Sequence, residues 1–399
     1  MSNYPFPSDE IHIAAYDSSD NDKKTSDYIC NGKDDQNIIE EAIDSFSCQS
    51  SEKARGFRII LHAGNYYISA FNKTNKYGHV AILLPAFTNT SFYHIGFSVV
   101  GSTNTENTTL HLTKDCYNSI NSSDNYSFFG CESKNWNHYT FKDLYVTIPD
   151  SQKNIVCFDG RMMGSMGITR CKCLCDTRGN YQIVSKPLPV EGFIAFLGTL
   201  GSNNMWQEKW EFCQAEGFGQ GFAVGSEHLL LHKCAALFGR YGFTFNNYEI
   251  DDGAVVHPMT LIGCIDEANA NLWKFGHSNT KQCINAYNTS FEIFPEWFAQ
   301  EGNFAKENSP GEYVGHIDYV INHGYYTEND KTAQFWESGM GINFETINNT
   351  HKKICTKEER LSYFPNYGQE IYDLTLSKKV ICIDPQKKIW VDCMGNVVD

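Results

Sequence analysis

The chain has 399 residues, of which 41% are hydrophobic and 20% charged, a composition typical of folded proteins and not of disordered ones. Its formal net charge of −15 repels phosphate backbones and anionic lipids, so neither nucleic acid nor a membrane surface is an expected partner. No apolar run approaches the roughly 20 residues that cross a bilayer, so membrane insertion is not predicted.

The amino-terminal segment, residues 1–56, begins with MSNYPFPSDEIHIAAYDSSD, which lacks the basic start and apolar core of a secretory signal. We therefore expect synthesis in a cytosol without export by that route. Further along, apolar residues recur at helical spacing after Asp34 and Asp35, whose carboxylates suit a helix N-terminus. These apolar residues are Ile38, Ile39, Ala42, Ile43 and Phe46.

The stretch DYICNGKDD (27–35), the predicted helix and IILHAGNYYIS (59–69) together resemble the opening of pectate-lyase-like right-handed β-helix proteins. That superfamily includes phage tailspikes and many polysaccharide-degrading enzymes. The resemblance implies an all-β fold: a right-handed single-stranded parallel β-helix with an N-terminal capping helix. A cap is needed because a solenoid end otherwise exposes core and unpaired strand edges. In the superfamily this segment lies away from the active site, so it implies no chemistry.

Scattered cysteines are the next feature along the chain. Their number, 15, is odd, which argues against a disulfide framework and predicts reduced, buried side chains. The alternation of Cys171, Cys173 and Cys175 favours a strand, and no second Cys or His pair stands at zinc-site spacing from it. We expect no metal and no cofactor.

Four later phrases restate one pattern: WEFCQAEGFGQGF, LHKCAALFGRYGF, LIGCIDEANANLW and QCINAYNTSFEIF. Aligned on Cys213, Cys234, Cys264 and Asn285, their anchors are 21, 30 and 21 residues apart. Each anchor is followed nine residues later by an aromatic residue: Phe222, Phe243, Trp273 and Phe294. The residues three positions before the four anchors are Trp210, Leu231, Leu261 and Gln282.

A period in the low twenties predicts a solenoid, and short Gly- and Asn-broken segments rich in β-formers favour strands. We therefore predict coils stacked roughly 4.8 Å apart, with equivalent residues filling one interior column. Cys171 lies 42 residues before Cys213, twice the 21-residue interval, and Ile168 precedes it by three residues, which indicates a further coil.

Between Phe243 and Cys264 the chain carries nine more residues than the corresponding intervals, within TFNNYEIDDGAVVHPMTLIG. Insertions in a solenoid form loops on one face, which is often the binding face. This insertion carries five candidate site residues, namely Tyr248, Glu249, Asp251, Asp252 and His257.

Polysaccharide hydrolysis commonly needs two carboxyl groups, about 5–5.5 Å or roughly 6.5–9.5 Å apart. The repeat places Glu216 and Glu267 at one coil position, two coils and about 10 Å apart. The candidate catalytic residues are Glu216, Glu267, Asp251 and Asp252. The candidate substrate-binding residues are Trp206, Tyr248, Glu249, His257 and Asp266, with Trp210 and Trp297 as further stacking platforms. The simpler interpretation is that the carboxylates are solvated and the repeated aromatics belong to the core.

Four segments are predicted: the amino-terminal segment and capping helix (1–56), the β-helix (57–322), an irregular region (323–365) and a β-hairpin tail (366–399). Residues 372–378 and 390–395 resemble a carboxy-terminal β-hairpin of phage tail proteins and related proteins of gut bacteria. IDPQKK replaces the usual aromatic-Asn-Gly turn. This resemblance implies a virion tail location, with the hairpin as an attachment or oligomerisation element.

The expected function is that of a virion tailspike or tail-fibre protein that binds a bacterial surface polysaccharide, with or without depolymerising it. Its expected partners are that polysaccharide, two further copies in a homotrimer and other virion tail proteins. One alternative is a glycoside hydrolase or polysaccharide lyase of a gut bacterium, secreted or surface-exposed. Another is a purely structural tail component. At this point it stays open whether the protein is an enzyme.

Overall fold

The computed structural model of the chain describes residues 10–47, 57–86, 96–102, 107–135, 137–177, 187–198, 208–224, 229–245, 259–270, 274–275, 282–293, 313–324, 345–346, 349–350, 354–362, 370–384 and 387–398. None of the helices in these ranges combines the length and the apolar composition that crossing a membrane requires.

The described elements are three-strand coils between an amino-terminal and a carboxyl-terminal group. The amino-terminal group is β1 (Glu10–Ala14), α1 (Asp20–Thr25), β2 (Tyr28–Ile29) and α2 (Asp35–Ser47). The first three coils contain β3 (Phe57–Leu61), β4 (Gly64–Ile68), β5 (Lys73–Asn75) and β6 (Gly78–Leu84); β7 (Gly96–Val100), β8 (Thr108–Leu112), α3 (Lys114–Ser119) and β9 (Tyr126–Cys131); and β10 (His138–Lys142), β11 (Tyr145–Ile148) and β12 (Ile155–Asp159). The next four contain β13 (Ser165–Thr169), β14 (Lys172–Cys175) and β15 (Ile194–Leu197); β16 (Lys209–Glu211), β17 (Gln214–Glu216) and β18 (Gln220–Val224); β19 (Leu230–His232), β20 (Ala235–Leu237) and β21 (Tyr241–Phe245); and β22 (Met259–Ile262), β23 (Ile265–Asn269) and β24 (Lys274–Phe275). The carboxyl-terminal group is β25 (Gln282–Ile293), β26 (Tyr313–Gly324), β27 (Glu345–Thr346), β28 (Asn349–Thr350), β29 (Ile354–Cys355), α4 (Lys357–Ser362), β30 (Glu370–Asp373), β31 (Lys378–Asp384), β32 (Ile389–Asp392) and β33 (Val397–Val398).

Equivalent strands of successive coils pair in parallel and form three faces. Face 1 is β3–β7–β10–β13–β16–β19–β22. Face 2 is β4–β8–β11–β14–β17–β20–β23. Face 3 is β6–β9–β12–β15–β18–β21–β24. The predicted fold class, a parallel β-helix, is confirmed by this pairing.

A two-residue turn joins face 1 to face 2 and has the same form in five consecutive coils. Its first residue adopts a left-handed backbone, with φ between 50° and 58°, at Asp143, Arg170, Phe212, Lys233 and Gly263. The second residue is buried in each coil and is Leu144, Cys171, Cys213, Cys234 or Cys264. We call this turn the corner.

The predicted cysteine column is confirmed. The residue after each column cysteine donates its backbone N–H to the carbonyl of the equivalent column residue in the preceding coil. Gln214 N–H donates to Cys171 O at 3.0 Å, and Ala235 N–H donates to Cys213 O at 2.8 Å. Burial raises the pKa of the Cys171 and Cys234 thiols, so they stay protonated and serve as small core side chains.

A second interior column consists of stacked phenylalanines on face 3. Neighbouring ring centroids are 4.9–5.3 Å apart and the rings are tilted by 9–18°, a geometry worth about 0.5–1.5 kcal/mol per pair beyond burial. Its members are Phe129, Phe158, Phe196, Phe222 and Phe243. The predicted pairing of Phe222 with Phe243 is confirmed, whereas Trp273 and Phe294 lie outside the described residues.

Two register predictions were wrong. Ser290 pairs with Ile265, so Thr289, and not Asn285, follows Cys264 in the corner column. The reason is that this last interval is four residues longer than the pattern assumed. The 42 residues before Cys213 are also one coil and not two, because β14 pairs directly with β17.

The two ends of the β-helix are closed differently. At the amino end α2 packs against β3, β4 and β6, as predicted for a cap. The buried Asp35 carboxylate fixes it there, since it accepts backbone N–H bonds from Asn31 (3.0 Å), Gly32 (2.9 Å) and Tyr67 (2.8 Å). At the carboxyl end the single strand β25 pairs with both β22 and β23, and β26 pairs antiparallel along it.

The carboxyl-terminal residues form a separate five-stranded sheet, β29–β33, which includes the predicted hairpin. Its core contains Trp390, beside which the fully buried Arg360 bonds to Asp373 at 2.7 Å. Pairing a buried arginine with a buried carboxylate avoids the large cost of leaving either charge unpaired.

Replacement of Phe196, the central ring of the phenylalanine column, should destabilise the β-helix. Phe196→Ala removes two stacked contacts and leaves a cavity, so we expect a loss of about 3–5 kcal/mol in the free energy of unfolding, measured by chemical denaturation. Phe196→Leu keeps most of the volume and should cost about 1 kcal/mol. Equal losses in the two variants would contradict the stacked column.

Candidate functional site

Strand alternation around the corner decides which side chains reach the outer surface. On face 2 the residue three positions after the buried corner residue points outward in each coil. Glu216, Leu237 and Glu267 occupy this position and are register partners, as the repeat predicts. Two coil steps place the glutamates about 10 Å apart along the β-helix.

Glu216 is engaged by neighbouring side chains. Its Oε1 accepts a hydrogen bond from Gln214 Nε2 at 2.5 Å, and Lys172 Nζ of the coil below lies 3.6 Å from the same oxygen. The Lys172 ammonium also lies 5.4 Å from the centre of the Tyr145 ring. Glu216 therefore links adjacent coils on the outer surface of face 2.

Asp266, a predicted substrate-binding residue, does not reach that surface. It stands in the interior column of Ala215 and Ala236 and is fully buried, so it cannot touch a ligand bound outside. Gly242 makes room for it, because a Cβ there would lie 2.5 Å from the Asp266 Cγ. Asn269 Nδ2 donates to its Oδ1 at 2.6 Å, and Oδ2 has no partner among the described residues.

Burial raises the pKa of Asp266 from its ordinary 3.8 to about 7, opposed by the hydrogen bond from Asn269. Between these two pH values the folded protein keeps a proton that the unfolded chain releases. The contribution of this carboxyl to stability is therefore present below about pH 4 and is lost as the pH rises to about 7.

Asp266→Asn should abolish this pH dependence, because the amide keeps the shape and cannot ionise. We expect the variant to be more stable than the parent at pH 8, by at most about 4 kcal/mol, and similar to it near pH 4. Thermal unfolding of both proteins between these pH values measures the difference. The control is Glu267→Gln, which removes the neighbouring outward carboxyl; a matching stabilisation in that control would refute the assignment.

The other predicted site residues belong to stretches outside the described residues. Trp206 falls between β15 and β16, and Trp297 follows β25. Tyr248, Glu249, Asp251, Asp252 and His257 fall between β21 and β22. Trp210 is described, and it is core: it is fully buried and its Nε1 donates to Met166 O at 2.8 Å. Within the described ranges no three His, Cys, Asp or Glu side chains are arranged to hold a metal ion.

Sequence reasoning missed a charged cluster on face 1. Glu211 Oε1 lies 2.8 Å from Lys209 Nζ and 3.1 Å from Nδ1 of its register partner His232. Hydrogen bonding from Lys209, helped by His232, lowers the pKa of Glu211. A usable signal existed, because Glu211 and His232 each stand two residues before a predicted cysteine anchor and must therefore face outward.

Phe212, at the corner beside this cluster, was also missed. Its side chain is 48% exposed and its backbone is left-handed, which costs a residue with a Cβ about 1–2 kcal/mol. The ring lies 5.4 Å from the His232 ring and 5.6 Å from Lys233 Nζ. Three further exposed apolar residues, Ile262, Ile265 and Tyr287, lie in the next layers toward the carboxyl end.

The outer surface of face 2 is polar and aromatic in the first coils too. His111 Nε2 lies 2.8 Å from Asn65 Oδ1, its Nδ1 lies 2.7 Å from Thr147 Oγ1, and its ring stacks on Tyr67 at 5.3 Å. Burial lowers the pKa of His111, so a neutral imidazole bridges the three coils. Planar rings, amides and hydroxyls thus line this surface.

The sequence matches no protein-family model and no curated protein. Among solved structures, tailspike protein 3 of bacteriophage CBA120 is 12% identical, with a TM-score of 0.33 over 92% of this chain and 68% of that one. Escherichia coli YbhC is 9% identical, with a TM-score of 0.31 over 83% of this chain and 84% of that one. ORF18 of Geobacillus virus E2 is 9% identical, with a TM-score of 0.23 over 92% and 84%. Likeness at this level carries no functional inference, and the fold assignment rests on the strand pairing.

Proposed function

We propose that this protein is a virion tail protein of tailspike or tail-fibre type whose β-helix binds a bacterial surface polysaccharide. The observation that carries the proposal is the outer surface around the corner, where exposed aromatic rings stand beside charged and hydrogen-bonding groups on a rigid scaffold. A sugar ring offers an apolar C–H face and a rim of hydroxyls, so it needs both kinds of partner. Sites on rigid strands also bind without a large ordering cost.

The tail location is supported by the resemblance of residues 372–378 and 390–395 to tail-protein hairpins. These residues lie in the five-stranded carboxyl-terminal sheet, where β31 and β32 pair antiparallel. We assign attachment or oligomerisation to this sheet, with a homotrimer and other virion tail proteins as partners. We also propose that the chain is organised in four segments, 1–56, 57–322, 323–365 and 366–399. A secreted or surface-exposed bacterial protein is the alternative location.

Binding without cleavage is favoured over hydrolysis or lyase chemistry. Glu216 is held by Lys172 and Gln214, Asp266 is buried, and the glutamates on face 2 are about 10 Å apart, beyond the usual carboxyl separations. A glycoside hydrolase or polysaccharide lyase remains the second candidate, supported by Glu216 and Glu267 sharing one outward column.

Incubation of the full chain with an array of purified capsular polysaccharides and lipopolysaccharides tests the proposal. We expect retention on at least one glycan with no fall in polymer mass, followed by light scattering. A falling mass would identify an enzyme, and single alanine variants at Glu216, Asp251, Asp252 and Glu267 would then show which acid is needed. Neither retention nor cleavage would indicate a purely structural tail component and reject the proposal.

A further inference from the structure

Two dipeptides, Glu211–Phe212 and His232–Lys233, lie directly above one another at the corner. They occupy the same positions in adjacent coils, and the Phe212 N–H donates to His232 O at 2.9 Å. The relative placement of the four side chains is therefore fixed by the parallel pairing of β16 with β19.

Folding does not account for the ring of Phe212. At the same corner position the four other coils that have this turn carry Asp143, Arg170, Lys233 and Gly263, all polar or without a side chain. The phenylalanine is only half-buried there, and its left-handed backbone is unfavourable for a residue with a Cβ. The left-handed backbone belongs to the corner in all five coils, so what sets Phe212 apart is its exposed apolar ring.

Charged and hydrogen-bonding side chains lie close to the ring. Glu211 Oε1 accepts a hydrogen bond from His232 Nδ1–H, which leaves Nε2 of that imidazole on the side of the ring away from Glu211. Lys209 Nζ lies 2.8 Å from the same carboxylate oxygen, and Lys233 Nζ lies over the Phe212 ring, 5.6 Å from its centroid. One exposed apolar ring thus has a carboxylate, an imidazole and an ammonium group close to it.

We propose that Glu211, Phe212, His232 and Lys233 form a subsite for one sugar ring of the bound polysaccharide, here called the corner subsite. The C–H face of the sugar stacks on Phe212, and its hydroxyls bond to Glu211, His232 and Lys233. The inference rests on the proposed function and gives it a location. The charged and hydrogen-bonding groups around Phe212 suit the hydroxyls of a sugar better than an apolar protein surface, because the core of a protein interface is depleted of charged residues.

The test uses the Phe212→Asn variant of the full chain, because asparagine adopts a left-handed backbone more readily than phenylalanine does. The probe is the glycan of the capsular and lipopolysaccharide array that retains the parent protein. We expect the variant to bind it at least tenfold more weakly, with a melting temperature equal to or above that of the parent. Phe212→Tyr restores a ring and should bind at least fivefold more tightly than Phe212→Asn.

Ser377→Asn is the matched control, since Ser377 is an exposed left-handed residue in the turn between β30 and β31. It should leave affinity unchanged. Parent-like binding by Phe212→Asn would overturn the corner subsite while leaving the proposed function intact. Loss of self-association without loss of glycan affinity would make the corner a contact between copies and would also overturn it. If the parent protein binds no glycan, both proposals fail together.

Discussion

In-register parallel pairing is the constraint on which the rest of this structure depends. Each coil lies roughly 4.8 Å above the one before, so a side chain always meets the equivalent side chain of the next layer. Inside, this requires residues of similar size at equivalent positions, which produces the cysteine column at the corner and the phenylalanine column on face 3. Outside, it brings together residues that are 21 or more positions apart, such as Glu211 and His232.

Much of the interior could be predicted because column positions repeat residue types. For Cys213, Cys234 and Phe222, spacing in the sequence was enough to predict the coil to which each residue belongs. The fourth layer was misplaced because Thr289 resembles neither a cysteine nor the Asn285 that the spacing suggested. Connection length was the second source of error: the 42 residues before Cys213 form one coil, because β14 pairs directly with β17. Connections between strands can differ in length from coil to coil without changing the columns.

The site was harder to predict, since inward and outward positions alternate by one residue. Asp266 stands two positions after its anchor, where Ala215 and Ala236 are buried, so its burial was readable from the alignment. Glu267, one residue on, faces outward as expected. Phe212 was not predicted to be exposed, because aromatic residues in a repeat ordinarily belong to the core. It is exposed because it occupies the left-handed position of the corner, and a phenylalanine gives no sequence signal for such a position.

The single strand β25 pairs with both β22 and β23, and β26 then lies against it in the opposite direction. A β-helix coil of a second molecule that was added at this end would have to pair with the antiparallel strand β26. The hydrogen-bonding pattern of an antiparallel pair differs from that of the parallel pairs between coils. Molecules of this protein are therefore discouraged from adding end to end into fibrils. The number of coils is therefore set by the chain itself and not by the addition of further copies.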